Sequence, residues 1–582
     1  MIKERLERLR RKMYESGLDA YYFNTQDYHM SEYIPEYFKT LRYFSGFTGS
    51  LAQFIVTFDE ALIFVDGRYH VQADNECTAN GIKVMKLGTE GVLTSDKYMI
   101  EKMQGMKIGL DARCVDASLV KRLLRSGLDI KTIDIYSDIY DDRASLSKEM
   151  LYELDVKYTG LSRAQKLTVI KRALDGKCHV ICDLASIAYL LNLRGNDIAY
   201  TPVFLSYMVF YKGDVYLFID KERLSDLILE GLYRDGVIIR DYGEFYDFLK
   251  TMRDTIVLLD TKKVNYEAYR NIDASCRIYD ARSIVEDMKS IKNKVEIDNT
   301  IKAHVYDGVA MVRFMKWLKE TELEGKTEFD IKVKLDRFRL EYKAFDLSFA
   351  PIVAYGANAA MMHYSPKEDK CSKVHDRGML LVDSGGQYFE GTTDITRTFA
   401  LGEVDDEMRY WFTLVLGSML ELQSVKFLEG LCGAQLDILA RKDLWELGVD
   451  YRCGTGHGVG HVLAVHETPP NIRYTLGNGS DVALRHGHIF SDEPGVYFEG
   501  KFGIRCENML LCQKDMKTEY GQFLSFRPLT VVPFDLDLID KRYLSTKNIK
   551  ALNDYHAYVY KMLEGHLSED EKDFLKKYTR AI

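Results

Sequence analysis

The chain has 582 residues, too many for one hydrophobic core, and roughly 150 to 200 residues per domain predicts three or four domains. Apolar residues make up 46% and charged residues 29%, and apolar runs such as 61–65 and 255–259 are far too short to span a bilayer, which excludes a membrane segment. The net charge of −9 excludes a nucleic-acid backbone as the main partner, because phosphate binding needs a basic face.

Residues 1–13 interleave Arg and Lys with Leu and lack the apolar stretch of a secretory signal. Ten cysteines are scattered from Cys77 to Cys512 without a C-x-x-C pair, the pattern of reduced thiols rather than a disulfide framework. Both features predict a cytoplasmic protein.

In chain order, residues 4–16 read as a helix closed near Gly17, followed by an apolar strand at 19–23. The same phrase recurs as a Lys/Arg-studded helix at 161–175 and a strand at 177–183. Tyr43-Phe44-Ser45-Gly46-Phe47-Thr48-Gly49 precedes strands ending in Phe64-Val65-Asp66-Gly67, and Leu191-Asn192-Leu193-Arg194-Gly195 precedes strands ending in Leu217-Phe218-Ile219-Asp220. Two related α/β units account for this repetition. From about Ser290 the texture changes to a long helix, 295–319, and then a segment holding seven of the nine prolines, which predicts a separate domain with paired strands.

Three segments of this last part carry chemistry. In 378–399, a turn over Tyr388 to Gly391 would set Gln387 opposite Thr392 and Gly385 opposite Asp394, so that Asp383 and Asp394 become diagonal neighbours on one face. In 453–467, His457 and His461 have the spacing of a helical zinc site, but Gly456, Gly458 and Gly460 predict an extended loop instead. In 489–510, a second hairpin turns near 499–503 and again offers carboxylates from both strands. Carboxylates inside apolar strands cost several kcal/mol to bury as ions, and Arg397 and Arg505 are too few to balance four of them. One histidine with four carboxylates is a hard, oxygen-rich donor set suited to Mn²⁺, Co²⁺ or Fe²⁺. Two such ions could share a water, lower its pKa and polarise a carbonyl, which is hydrolytic chemistry.

At these residues the sequence resembles the aminopeptidase P branch of the proline peptidases. The resemblance extends to Ser45-Gly46-Phe47, Asp66-Gly67-Arg68-Tyr69, Asn192-Leu193-Arg194-Gly195, Pro202-Val203-Phe204, His363-Tyr364 and Pro528-Leu529-Thr530. It implies an α/β and α+β multidomain protein: two related creatinase-like N-terminal α/β domains, 1–156 and 157–290, followed by a pita-bread catalytic domain, 291–582. It also implies two divalent metal ions, manganese first and cobalt, iron or zinc as alternatives. Asp383 would chelate one ion, Asp394 and Glu507 would bridge both, and His457 and Glu493 would complete the second. Glu493 would also take the proton of a hydroxide bridging the ions, and His363 and His466 would hydrogen-bond the substrate near the scissile carbonyl.

The implied activity is removal of the first residue from peptides with proline at position two, by a homodimer. A dipeptide-restricted prolidase and a catalytically silent interaction module are the alternatives; the first has a single N-terminal domain and the second lacks metal ligands. The sequence departs from the family where Cys453 replaces a pocket histidine, at Ala464 and Thr468 around Val465-His466-Glu467, and at Arg527 before Pro528. At position 453, either the thiol leaves the pocket less organised or another side chain, such as His461, fills the space.

Overall fold

The computed structural model describes residues 1–582. Leu6, Leu9 and Met13 recur along one face of the helix Ile2–Glu15 and are buried, each apolar side chain contributing about 1.5–3 kcal/mol on burial. The helix Arg163–Leu174 repeats the device with Leu167, Ile170 and Leu174, and a capping box between Ser162 and Gln165 fixes its start. Both helices lead into the central strands of sheets, Ala20–Asn24 and Cys178–Ile181.

These two sheets have the same topology. The first runs Lys83–Lys86, Ala61–Val65, Gln53–Thr57, Ala20–Asn24, Lys107–Leu110 and Asp129–Thr132 across its width. The second runs Val237–Arg240, Asp214–Phe218, Tyr207–Tyr211, Cys178–Ile181, Ile256–Leu259 and Arg277–Asp280. In each, the chain's first strand pairs antiparallel with the second, the second antiparallel with the third, and every other neighbour is parallel. The repeated phrase in the sequence is therefore a repeated α/β fold.

The two halves belong to one compact unit, Met1–Asp155 with Leu161–Val285. Backbone bonds join them, from Ala117 N–H to the Val264 carbonyl at 2.9 Å and from Tyr266 N–H to the Val115 carbonyl at 2.8 Å. Buried His29 adds Nδ1 to the Cys182 carbonyl at 3.0 Å and Nε2 to the Tyr242 hydroxyl at 2.8 Å.

The second unit comprises Val156–Gly160 with Glu286–Ile582. Its long helix, Lys294–Glu320, starts at a capping box between Asn293 and Glu296 and packs Met311, Phe314 and Met315 into a core shared with Val382, Phe399 and Ile504. Ile352–Tyr355, Met379–Ser384 and Ile395–Ala400 form one sheet. Lys426–Leu428, Gly521–Pro528, Asn508–Thr518, Ile489–Asp492, Gly456–Gly458 and Glu467–Ile472 form another, and Gly495–Phe498 with Phe502–Arg505 make a ribbon. No helix is long and apolar enough to cross a membrane.

Candidate metal centre

Asp383 lies opposite Thr396 where Met379–Ser384 pairs with Ile395–Ala400, and Gln387 lies opposite Thr392 farther along the hairpin. The expected register therefore holds, but the ladder breaks between these pairs and the strands continue in a different sheet. Gly385 permits the break: a Cβ there would sit 2.0 Å from the Thr393 carbonyl oxygen and 2.2 Å from Ser348 Oγ. Asp394 occupies the break, diagonal to Asp383.

The second hairpin breaks in the same way. Asp492 faces Asn508 in one sheet and Gly495 faces Arg505 in the ribbon, leaving Glu493 and Glu507 at the junction. The Glu507 N–H donates to the Thr396 carbonyl at 3.2 Å, and Thr396 Oγ1 donates to Glu507 Oε2 at 2.7 Å, so the two hairpins are tied together here. One carboxylate oxygen from each of Asp383, Asp394 and Glu507 falls within a 4.8 Å cluster, and all three residues are buried.

His457 reaches the cluster from an extended segment, Gly456–Gly458, not a helix, as its glycines predict. A Cβ at Gly456 would meet the Ser491 carbonyl oxygen at 1.8 Å, so the close approach requires glycine. His457 Nδ1 lies 3.0 Å from the Gly458 carbonyl, to which it donates, and this leaves Nε2 aimed at Glu493 Oε1 (3.3 Å) and Asp394 Oδ2 (3.5 Å). A carbonyl on one ring nitrogen and acceptors before the other is the orientation of a metal-ligating histidine.

Electrostatics separates the donors. Burial, then the charges of Glu507, Asp383 and Glu493, pushes Asp394 well above the usual carboxylate range. Burial with Glu493 and Asp383 does the same to Glu507, and burial raises Asp383 against the guanidinium of Arg505. Burial also disfavours a charged His457, yet its hydrogen bond to Glu493 and the charge of that residue outweigh it and raise His457 to about 9. In return, against its own burial, Glu493 is held at about 2 by His457, then Arg505 and His466.

The donors fit a pair of hard dications. Asp383 Oδ1 and Glu507 Oε1 are buried oxygens with no hydrogen-bond partner, each costing about 1–3 kcal/mol unless something binds it. Arg505 pairs with Asp383, but Arg397 turns away, donating to the carbonyls of Thr396, Val532 and Glu507 and to Asn508. Arg505 and a protonated His457 therefore offset at most two of the four charges on Asp383, Asp394, Glu493 and Glu507, so arginine alone does not balance the site.

Profiles of known families match nearly the whole length of the chain. The one described as metallopeptidase family M24 covers residues 298–514, its C-terminal region covers 522–582, and creatinase/prolidase N-terminal domain profiles cover 5–145 and 142–296. A "Probable Xaa-Pro aminopeptidase P" of Botryotinia fuckeliana is 35% identical over 98% of this chain and 91% of its own, and one from Talaromyces stipitatus is 35% identical over 100% and 92%. The chain belongs to metallopeptidase family M24, in its Xaa-Pro aminopeptidase P group. Its fold also matches the crystal structure of an X-prolyl aminopeptidase from Caenorhabditis elegans, "a cytosolic enzyme with a di-nuclear active site", with a TM-score of 0.95 at 33% identity over 100% of both chains. The architecture is thus two creatinase-type α/β domains followed by an M24 catalytic domain.

As an M24 protein the chain brings most of its expected site residues together. The His466 ring stands 4.2 Å from that of His457, at 75°. His363 is half-buried and follows Met362, whose carbonyl lies 3.5 Å from a terminal nitrogen of Arg505. His461 goes elsewhere: Nε2 meets the Tyr158 carbonyl at 2.9 Å and Nδ1 meets Thr300 Oγ1 at 3.2 Å, so it does not fill the space at Cys453. Cys453 is half-buried, and its sulfur adds to the effect of burial in raising the Tyr497 phenol, whose hydroxyl accepts from Arg505 at 2.6 Å. Arg527 lies outside this cluster and donates to the Tyr558 hydroxyl at 3.3 Å.

Two further groups of this site carry little signal in the sequence. Thr396, which orients Glu507, carries no signal of its own beyond its place opposite Asp383. Asp492 is fully buried with both carboxylate oxygens unpartnered, and burial followed by the charges of Glu507 and Glu493 pushes it far up. Its position beside Glu493 in Ser491-Asp492-Glu493-Pro494 was the available signal.

Proposed function

We propose that this chain is an Xaa-Pro aminopeptidase, which hydrolyses the bond after the first residue of peptides with proline at position two. The observation that carries the reading is the buried cluster of Asp383, Asp394 and Glu507, with unpartnered oxygens, faced by Nε2 of His457. Asp383, Asp394, His457, Glu493 and Glu507 would hold two divalent ions, for which the oxygen-rich donor set favours manganese, with cobalt, iron or zinc as alternatives. When bound, such ions lower the pKa of water and polarise a carbonyl.

The chain's own residues supply the rest. Glu493, held ionised by His457 and Arg505 against its burial, is a carboxylate ready to accept the proton of the attacking water and pass it on. His466 beside His457, and His363 beyond the Arg505 contact, are proposed to donate hydrogen bonds where negative charge develops on the carbonyl oxygen. Arg505 fixes Asp383 and Thr396 fixes Glu507, so both carboxylates are oriented before substrate arrives.

We further propose domain limits of 1–156, 157–290 and 291–582, a homodimer and a cytoplasmic location; the C. elegans relative is described as cytosolic. The two creatinase-type halves favour an aminopeptidase over a dipeptide-restricted prolidase. Assaying purified protein on Xaa-Pro dipeptides, Xaa-Pro-Yaa peptides and Xaa-Ala-Yaa controls, with and without Mn²⁺, tests the reading. Mn²⁺-dependent cleavage of Xaa-Pro-Yaa supports it, cleavage confined to dipeptides makes the protein a prolidase, and no cleavage of any peptide makes it a silent module.

A further inference from the structure

Asp437 and Arg441 stand one turn apart at the start of the helix Ile438–Glu446, fully buried, and neither is in the proposed donor set. Arg441 Nε donates to Asp437 at 2.6 Å, one terminal nitrogen donates to Asp450 at 2.6 Å and to the Tyr451 carbonyl at 2.9 Å, and the other donates to the Cys453 carbonyl at 2.7 Å. The guanidinium carbon also lies 3.8 Å from the centre of the Tyr451 ring. A fork with four N–H groups committed fixes a backbone far more tightly than a lysine could.

From there the connection runs to the metal centre. The other Asp437 oxygen accepts the Thr455 hydroxyl, which accepts in turn from the Tyr451 hydroxyl. The Thr455 carbonyl takes the N–H of Glu493 at 2.8 Å. Two residues on, His457 donates its N–H to Ser491 Oγ at 3.0 Å, and that hydroxyl donates to Glu493 Oε1 at 3.1 Å. Asp383, Asp394 and Glu507 depend on a different framework, made of Gly385, Thr396 and Arg505.

We propose that Asp437 and Arg441 are positioning residues for one half of the centre: through Thr455 they set His457 and Glu493, so the ion that needs those two donors depends on them and its neighbour does not. This rests on the reading that the five residues hold two ions. The test is titration of metal-stripped full-length protein with Mn²⁺ by calorimetry, with unbound Mn²⁺ counted by electron paramagnetic resonance and folding checked by thermal melts. Wild type should take up two ions. Thr455→Val and Arg441→Lys should keep one ion at near wild-type affinity and bind the second about 10- to 100-fold more weakly, the scale of losing an outer-shell partner. Thr455→Ser should restore the second ion. Tyr451→Phe, which removes a single hydroxyl, serves in their place if they do not fold, with a loss in the same ion. Equal weakening of both ions, or unchanged binding of both in a folded variant, overturns the proposal. Wild type that binds fewer than two ions overturns the two-ion reading beneath it.

Discussion

His457 Nε2 stands 3.3 Å from Glu493 Oε1, and these two residues hold each other charged, the imidazole raised to about 9 and the carboxylate lowered to about 2. A dication placed among these donors must displace the imidazole proton. Metal binding between pH 7 and 9 should therefore release at least one proton, and apparent affinity should rise by at least about tenfold per pH unit until His457 is neutral. Calorimetry in buffers of different ionisation enthalpy measures this; uptake with no proton release contradicts it.

The same pair sets the pH dependence of the metal-free fold. A histidine raised from 6.5 to about 9 contributes stability that is fully present below pH 6.5 and lost as pH climbs through 9. Asp394 and Glu507, both raised by burial first, act in the same direction as they ionise. Chelated protein should therefore melt at a lower temperature at pH 9 than at pH 6.5, and Mn²⁺ should raise the melting temperature more at pH 9. Equal stabilisation at both pH values would count against these protonation states.

Asp394→Asn and Glu507→Gln should remove metal and activity together. Each carboxylate sits in the buried cluster, and its loss leaves two dications poorly compensated. Metal analysis alongside turnover checks this, and wild-type turnover in either variant would end the assignment.

His466→Ala should keep its metal while kcat/KM falls by about 10²-fold, the scale of losing one transition-state donor. The ring lies edge-on against that of His457. Loss of bound metal in this variant would instead make His466 a ligand.

Cys453→His should raise kcat/KM on an Xaa-Pro-Yaa peptide with little change in metal content. His461 is committed to Tyr158 and Thr300, so nothing from that residue occupies the position. If the neighbours have instead closed around sulfur, the larger ring would overpack the site and lower stability by about 1 to 3 kcal/mol. Kinetics and melts separate these outcomes. A variant that is slower than wild type, equally stable and equally metallated would show that the cysteine is no deficit.

Much of the fold was readable because it rests on local periodicity. The two helix–strand phrases led to the two matching sheets, and the register of Gln387 with Thr392 follows from a two-residue period and a glycine-containing turn. The break at Gly385 was not readable, because it depends on Ser348 and the Thr393 carbonyl closing in from the sides. Partner choice over long separations was equally hidden. His461 has the spacing of a ligand, but its ring is claimed by a carbonyl 303 positions earlier, at Tyr158. Arg397 and Arg505 look alike in sequence, yet only Arg505 faces the carboxylates, since Arg397 is drawn to the carbonyls of Val532 and Pro533.

The most direct test of the account is a titration of chelated protein with Mn²⁺, following release of the first residue from an Xaa-Pro-Yaa peptide by mass spectrometry. Two bound equivalents per chain at full activity, with no cleavage of the matched Xaa-Ala-Yaa peptide, is the predicted result. Full activity in the metal-free protein, or equal cleavage of both peptides, would contradict it.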